Sequence, residues 1–203
     1  LCFLFVINGA NLIDGFNGLL TINLLFVYVI LAYININSAN QEFSFLIIGQ
    51  IIVLLIFLLF NFPYAKIFLG DSGAYLMGSL VALNTIITNN LNPNISSFFF
   101  CTLLFYIFFE VFFSFFRKLT QNKSPIYPDE KHLHMLSYYK VASLYGREKA
   151  NFINSIFVNL IYLIFIIPGL YFIESPNMSR YWFFTLLILY MITYSRLYRL
   201  TKN

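Results

Sequence analysis

Three polar clusters interrupt an otherwise apolar chain, and the first combines amides and a carboxylate at helical spacing. Asn8, Asn11 and Asp14 follow one another in steps of three residues. On a helix this spacing sets the three side chains along one slowly drifting face. Gly15 and Gly18 would let a neighbouring helix or a ligand approach the backbone closely. A helix end capped by Asn and Asp is the alternative, but a carboxylate at the edge of a membrane span is costly without a partner.

The second cluster covers residues 61–73 and follows a long apolar run. Asp71 falls where an N-cap would open a helix at about Ala74, and capping is one interpretation. Metal binding is the other, because an ionised carboxylate between glycines at a helix N-terminus suits Mg²⁺ that bridges to a diphosphate. Lys66 would add positive charge, and Phe68 would offer an aromatic face to a nucleotide base.

The third cluster covers residues 117–134 and contains both histidines of the chain. Asp129 can cap a helix that begins just after Pro128, which predicts His132 in the first helical turn. Free backbone N–H groups in a first turn favour an anion. A pair of exposed loop histidines is the alternative. A His-x-His pair could also bind a soft metal, but without a third His or Cys nearby we favour a phosphate contact with His132 and His134.

Glu110 is an isolated carboxylate within an apolar run. It precedes Arg117 by seven residues, which places it on the same helix face and about 10 Å deeper in the membrane. An ionisable group at that depth is a functional candidate. Pairing with Arg117, or with a residue of another span, is the alternative.

The composition is that of a membrane protein. Of 203 residues, 60% are hydrophobic and only 10% are charged, with 26 Phe and 15 Tyr. The net charge of +4 forms no basic stripe, so we expect no nucleic-acid partner. Cys2 and Cys101 lie within apolar runs and predict neither a disulfide framework nor a cysteine metal site.

The pattern predicts an all-α polytopic bundle that forms a single transmembrane domain over residues 1–203. A spanning helix needs about 20 mostly apolar residues. Residues 1–7 are predicted to end a further span, and because the chain opens inside this apolar stretch without Met we expect it to be truncated at its N-terminus. Six complete spans are predicted: about 19–36, 43–60, 74–89, 95–116, 152–173 and 181–198.

The basic residues predict the orientation of these spans. Lys and Arg favour cytoplasmic loops. If the long loop 117–151 is cytoplasmic, eleven of the twelve basic residues face the cytoplasm and Arg180 alone lies outside. The same assignment places all three polar clusters on the cytoplasmic side, where they could form one site.

In order, spacing and sidedness, the clusters resemble the polyprenyl-phosphate N-acetylhexosamine-1-phosphate transferases of glycosyltransferase family 4. The family patterns Asn-x-x-Asn-x-x-Asp-Gly-x-x-Gly-Leu and Lys-x-Phe-x-Gly-Asp-x-Gly match residues 8–19 and 66–73. The pattern Arg…Ser-Pro-x-x-Pro-Asp-x-x-His-Leu-His matches residues 117–134. The His-Leu-His string resembles the GlcNAc-1-phosphate branch more than the phospho-MurNAc-pentapeptide translocases. The chain departs from the family at Asn17 and Glu110, where Asp is usual, and at Met135, where His is usual.

The resemblance implies a role for each cluster. Asp71 would bind Mg²⁺, with Mn²⁺ as an alternative, and Asp14 would be an essential carboxylate at the same metal and nucleotide. Phe68 would support the uracil, and His132 and His134 would contact the diphosphate. Further substrate contacts are implied for a set of polar residues: Asn8, Asn11, Asn17, Asn61, Lys66, Arg117 and Lys123.

The resemblance also implies an activity. Transfer of N-acetylhexosamine 1-phosphate, above all GlcNAc-1-phosphate, from a UDP-sugar to undecaprenyl or another polyprenyl phosphate would release UMP. Such a step initiates cell-envelope glycan synthesis, as for lipopolysaccharide or O-antigen, at the cytoplasmic face of a bacterial inner membrane. Residues 1–203 alone would be inactive without the family's N-terminal half, and a homodimer is left open.

Two other classes of membrane protein agree less well with the sequence. A membrane transporter would place its polar residues near the midplane of the bilayer, whereas here they gather at one interface. A CDP-alcohol phosphotransferase needs Asp-Gly-x-x-Ala-Arg followed by two further Asp on the same helix, and after Asp14-Gly15 this chain has neither. A phospho-MurNAc-pentapeptide transferase remains the alternative within the family.

Overall fold

The computed structural model describes residues 2–125, 127 and 129–202. Every regular element in these ranges is an α-helix, which confirms the predicted all-α class. The helices are α1 (Cys2–Ile13), α2 (Leu19–Asn37), α3 (Gln41–Asn61), α4 (Gly70–Leu91), α5 (Ser97–Leu103), α6 (Phe105–Thr120), α7 (Leu133–Tyr145), α8 (Arg147–Leu170) and α9 (Pro176–Lys202).

Each predicted span coincides with helical structure, and the protein is an all-α membrane protein. Helices α2, α3 and α8 are long and apolar enough to cross a bilayer. Helices α4 and α9 reach spanning length with less apolar sequences, so the count of six stays a prediction.

The predicted span 95–116 is not one continuous helix. It breaks at Leu104 into α5 and α6, whose axes differ by 76°. The hydroxyl of Tyr162 on α8 donates a hydrogen bond to the carbonyl oxygen of Leu103 at the break. This contact satisfies a backbone acceptor in an apolar environment, where an unpaired carbonyl would be costly.

Helix α1 extends to Ile13, well beyond the predicted span end at residue 7, and packs between α4 and α6. Glycine permits this close packing. A Cβ atom at Gly9 would lie only 2.0 Å from the carbonyl oxygen of Ile107 on α6, and one at Gly78 on α4 would lie 2.8 Å from the Cβ of Ala10. Helix α1 therefore delivers the first polar cluster directly to the ends of α4 and α6.

Candidate active site

Two carboxylates from different parts of the chain lie near each other at one end of the bundle. Asp14 lies in the turn between α1 and α2, and Asp71 is the second residue of α4. Burial, together with the negative charge of Asp71, raises the pKa of Asp14 from its ordinary value to about 6. Asp14 is partly buried, whereas Asp71 is exposed. The pair thus forms a region of concentrated negative charge that a cation would stabilise.

The capping interpretation of Asp71, one of the two that the sequence left open, is wrong. Helix α4 begins at Gly70, four residues before the expected Ala74, and Leu69 occupies the N-cap position without a side-chain hydrogen bond. Gly70 adopts a φ of 67°, which allows the chain to turn abruptly into the helix. Among the described residues, none forms a hydrogen bond with the Asp71 carboxylate. The Asp71 carboxylate is therefore available to a ligand at the N-terminus of α4.

Asn17 and Asn61 hold the turn that follows Asp14. The Oδ1 of Asn61 accepts a hydrogen bond from the N–H of Gly18 at 2.7 Å. The side-chain amide of Asn17 donates to the carbonyl of Pro63 at 2.7 Å, and its backbone N–H donates to Oδ1 of Asn151 at 2.8 Å. These two predicted substrate contacts therefore connect the α1–α2 turn to the end of α3 and the start of α8.

The other predicted contacts of the first two clusters differ in exposure. Asn11 donates a hydrogen bond to the hydroxyl of Tyr75 at 3.2 Å and so joins α1 to α4. Asn8 donates to a carbonyl of its own helix. Lys66 is exposed, and Phe68 has 76% of its surface exposed in the segment before α4. An aromatic ring this exposed contributes little to the core and is free to stack on a ligand.

The expected helix start after Pro128 is also wrong, and Pro128 itself lies outside the described residues. Helix α7 begins at Leu133, so His132 precedes the helix and is not in its first turn. Asp129 does not cap it, because the Asp129 carboxylate accepts two hydrogen bonds from Arg117 at 2.8 and 2.9 Å. Glu110 caps the start of α7 instead, because its Oε1 accepts a hydrogen bond from the N–H of Leu133 at 2.9 Å.

Arg117 and Asp129 form the ion pair that fixes the approach to α7. Arg117 is buried, although the resemblance places it with the substrate. Burial raises the pKa of Asp129, but the hydrogen bonds from Arg117 and from the backbone N–H of Lys131 outweigh this and lower the pKa to about 2. Lys118 adds a second anchor by donating to the carbonyl of Tyr127 at 2.7 Å. The third predicted basic contact, Lys123, is exposed.

Glu110 is buried and pairs with another span, one of the two alternatives that its depth suggested. It is 1% exposed. Its Oε1 lies 3.2 Å from Nδ1 of His132, and its Oε2 accepts a hydrogen bond from the hydroxyl of Tyr190 on α9 at 2.6 Å. The carboxylate thereby connects α6, the start of α7 and α9.

The two histidines are buried and their rings are parallel, so the alternative of an exposed loop pair is wrong. The ring centroids of His132 and His134 lie 5.6 Å apart with an angle of 6° between the planes. The Nδ1 of His134 lies 3.1 Å from the hydroxyl of Tyr106. Burial, reinforced by repulsion from His132 and opposed by Glu110, lowers the pKa of His134 to about 4. His134 is therefore neutral at pH 7.

One close approach brings the histidines to the turn that carries Asp14. A Cβ atom at Gly15 would lie 4.0 Å from Nε2 of His134, so this nitrogen faces the turn that carries Asp14. His134 stacks on His132, which in turn lies 3.6 Å from the carboxylate of Asp129. The three polar clusters thus meet at one end of the bundle.

Sequence comparison relates this chain to known proteins. Residues 1–89 match the family model described as glycosyl transferase family 4. The chain is 32% identical over 139 residues to an undecaprenyl-phosphate alpha-N-acetylglucosaminyl 1-phosphate transferase of Thermotoga maritima, and this match covers 68% of the chain and 42% of that protein. The chain belongs to glycosyl transferase family 4.

Other relatives of this family 4 chain carry a different name. It is 41% identical over 83 residues to a phospho-N-acetylmuramoyl-pentapeptide-transferase of Leuconostoc mesenteroides, covering 39% of the chain and 25% of the relative. It is 31% identical over 105 residues to the protein of that name from Helicobacter pylori, and this match covers 44% of the chain and 30% of the relative. The chain thus spans less than half the length of these relatives. No solved structure matches it.

The donor set of this family 4 site fits a metal that the substrate helps to hold. Within the described ranges, no three His, Cys, Asp or Glu side chains come together as a metal cage. Asp14 and Asp71 provide two carboxylates. Mg²⁺ commonly takes one or two protein carboxylates and completes its octahedron with water and substrate phosphates. Two neighbouring carboxylates, one with a raised pKa, match that mode of binding.

Several partners of the site escaped prediction. Tyr106 contacts His134, and Tyr190 contacts Glu110. The side chain of Asn154 donates a hydrogen bond to the carbonyl of His134 at 2.9 Å. In a chain with 15 Tyr, a single tyrosine in an apolar helix carries no distinguishing signal. The spacing of Tyr106 and Glu110, four residues apart on one helix, is the signal that could have singled out this face.

Proposed function

We propose that this chain forms the C-terminal part of a membrane enzyme that transfers N-acetylhexosamine 1-phosphate from a UDP-sugar to a polyprenyl phosphate. The observation that carries the proposal is the convergence of Asp14 and Asp71 with the buried His134 at one end of a bundle of membrane helices. Two carboxylates that could bind a cation then lie close to an imidazole that could bind a phosphate. This end of the bundle is where a lipid substrate and a water-soluble substrate can meet.

The proposed reaction needs positioning and charge neutralisation more than covalent chemistry. An oxygen of the polyprenyl phosphate bonds to the β-phosphorus of the UDP-sugar, the bond from that phosphorus to the bridging oxygen breaks, and UMP leaves with this oxygen. A bound Mg²⁺ or Mn²⁺ would neutralise diphosphate charge. Asp14 and Asp71 would hold this ion, while His134, stacked on His132, would contact the diphosphate.

GlcNAc-1-phosphate is the group that we favour for transfer. The Thermotoga relative named for that activity matches 68% of the chain, whereas the Leuconostoc relative named for the pentapeptide substrate matches 39%. The higher identity of the shorter match keeps the pentapeptide substrate as the second candidate. We place the site at the cytoplasmic face of a bacterial inner membrane, because the distribution of Lys and Arg along the sequence predicts that all three polar clusters face the cytoplasm.

The assay uses membranes that contain the complete gene product, Mg²⁺ and undecaprenyl phosphate, with either UDP-GlcNAc or UDP-MurNAc-pentapeptide. UMP release is measured with and without the lipid phosphate. Release that requires the lipid and UDP-GlcNAc supports the proposal, and release with the pentapeptide substrate alone supports the second candidate. Failure to release UMP from any UDP-N-acetylhexosamine would refute the proposed activity.

Phe68→Ala is expected to raise the KM for the UDP-sugar about 10-fold, because stacking of a base on an aromatic ring contributes roughly 1–3 kcal/mol. Lys66→Ala should also raise the KM for the UDP-sugar, because it removes a positive charge near the phosphates. Steady-state kinetics of UMP release check both variants. Tyr171→Ala is the matched control, since Tyr171 is 83% exposed at the opposite end of α8. An unchanged KM for the UDP-sugar in Phe68→Ala would show that Phe68 does not stack on the nucleotide base.

A further inference from the structure

We propose that Tyr106 is a positioning residue that fixes the proton of His134 on Nε2 and so makes this imidazole a hydrogen-bond donor toward the substrate diphosphate. The tautomer follows from the geometry of the two buried side chains. The ligand that receives the hydrogen bond rests on the proposed function.

The hydroxyl of Tyr106 determines which nitrogen of His134 carries the proton. Tyr106 is 5% exposed and its hydroxyl lies 3.1 Å from Nδ1 of His134. A buried hydroxyl proton without an acceptor costs free energy, and no second acceptor for it occurs among the described residues. The hydroxyl therefore donates to Nδ1. A neutral imidazole that accepts at Nδ1 carries its proton on Nε2.

The protonated nitrogen faces the carboxylate end of the site. The Nε2 of His134 is directed at Gly15, where even an added Cβ atom would remain 4.0 Å away. Gly15 directly follows Asp14, so the N–H group is directed at the turn that carries one of the two proposed metal ligands. A diphosphate held by the metal would place anionic oxygens beside this N–H group, which favours a charge-assisted hydrogen bond.

The neighbouring histidine has the opposite arrangement. The Nδ1 of His132 faces the carboxylate of Glu110, an ionised group that only accepts, so His132 carries a proton on Nδ1. Tyr106 and Glu110 lie one turn apart on α6 and reach the two stacked rings from the same helix face. One helix face thus assigns different protonation patterns to two histidines that sequence alone makes equivalent.

The kinetic test is Tyr106→Phe in the complete gene product. We expect kcat for UMP release to fall about 10-fold, the factor that corresponds to the loss of one hydrogen bond, while the KM for the UDP-sugar stays nearly constant. Tyr162→Phe is the matched control, because it also removes a buried hydroxyl, one that donates to the backbone carbonyl of Leu103 and not to a histidine. Equal loss of kcat in the two variants would overturn the positioning role.

A second measurement does not depend on activity. Nitrogen-15 NMR of histidine-labelled protein in detergent distinguishes a protonated from an unprotonated ring nitrogen, and His134→Gln assigns the signals. We expect an unprotonated Nδ1 and a protonated Nε2 for His134, with a mixture of tautomers in Tyr106→Phe. A proton on Nδ1 in the unaltered protein would overturn the inference. The expected tautomer in a protein that releases no UMP would refute the proposed function but not the assigned hydrogen bond.

Discussion

Asp71→Asn is expected to lower UMP release by about 1,000-fold while the protein stays folded. Removal of one carboxylate from a metal that neutralises diphosphate charge costs several kcal/mol of transition-state stabilisation, and each 1.36 kcal/mol corresponds to a factor of about ten in rate. The fold should tolerate the change, because the Asp71 carboxylate is exposed and caps no helix. The rate of UMP release and the thermal unfolding temperature in detergent measure the two effects separately.

Glu148→Gln is the matched control for Asp71→Asn. Glu148 is exposed and is the second residue of α8, the position that Asp71 occupies in α4, but it lies outside the proposed site. Both variants remove one negative charge from a first helical turn, so a general effect of charge would lower both rates equally. An Asp71→Asn variant as active as Glu148→Gln would remove Asp71 from the metal site.

Glu110→Gln is expected to lower both stability and activity, with a rate loss of about 100-fold. The buried carboxylate faces three donors, which are Nδ1–H of His132, N–H of Leu133 and the hydroxyl of Tyr190. A glutamine amide has only one acceptor oxygen, so at least one donor is left unpaired, at a cost of about 1–3 kcal/mol. The ring of His132 and the start of α7 would shift together, which displaces both histidines.

Thermal unfolding and UMP release measure the effects of Glu110→Gln. Glu174→Gln provides the comparison, because the carboxylate of Glu174 accepts an exposed hydrogen bond from Asn94 at the other end of the bundle. Surface contacts of this kind contribute little to stability. A Glu110→Gln variant with the unfolding temperature and activity of Glu174→Gln would contradict the structural role of this carboxylate.

Apolar length located the helices but could not locate their breaks and starts. The bend at Leu104 lies within a run of Phe and Leu with no Pro or Gly to mark it. The start of α7 at Leu133 depends on Glu110, a residue 23 positions earlier that supplies the cap from another helix. Asp129 was expected to cap α7 from the chain order, but Arg117 forms an ion pair with it. Local patterns cannot rank such competing long-range partners.

The sequence predicted which residues lie near the candidate site better than it predicted the contacts between them. The spacing of Asn11 and Asp14, and the sidedness that placed them with His134, anticipated the side chains that the structure gathers at one end. Asn17 and Asn61 illustrate the limit, because an amide that braces a turn and an amide that contacts a substrate have the same sequence appearance. Only the hydrogen bonds of the folded chain reveal their structural use.

Electron paramagnetic resonance of Mn²⁺ binding in the presence of UDP-GlcNAc tests most directly whether Asp14 and Asp71 share one metal site. We predict that the detergent-solubilised complete gene product binds Mn²⁺ in the presence of the nucleotide sugar. Asp14→Asn and Asp71→Asn should each abolish this binding, while Glu148→Gln retains it. Undiminished binding of Mn²⁺ in either aspartate variant would contradict a shared site.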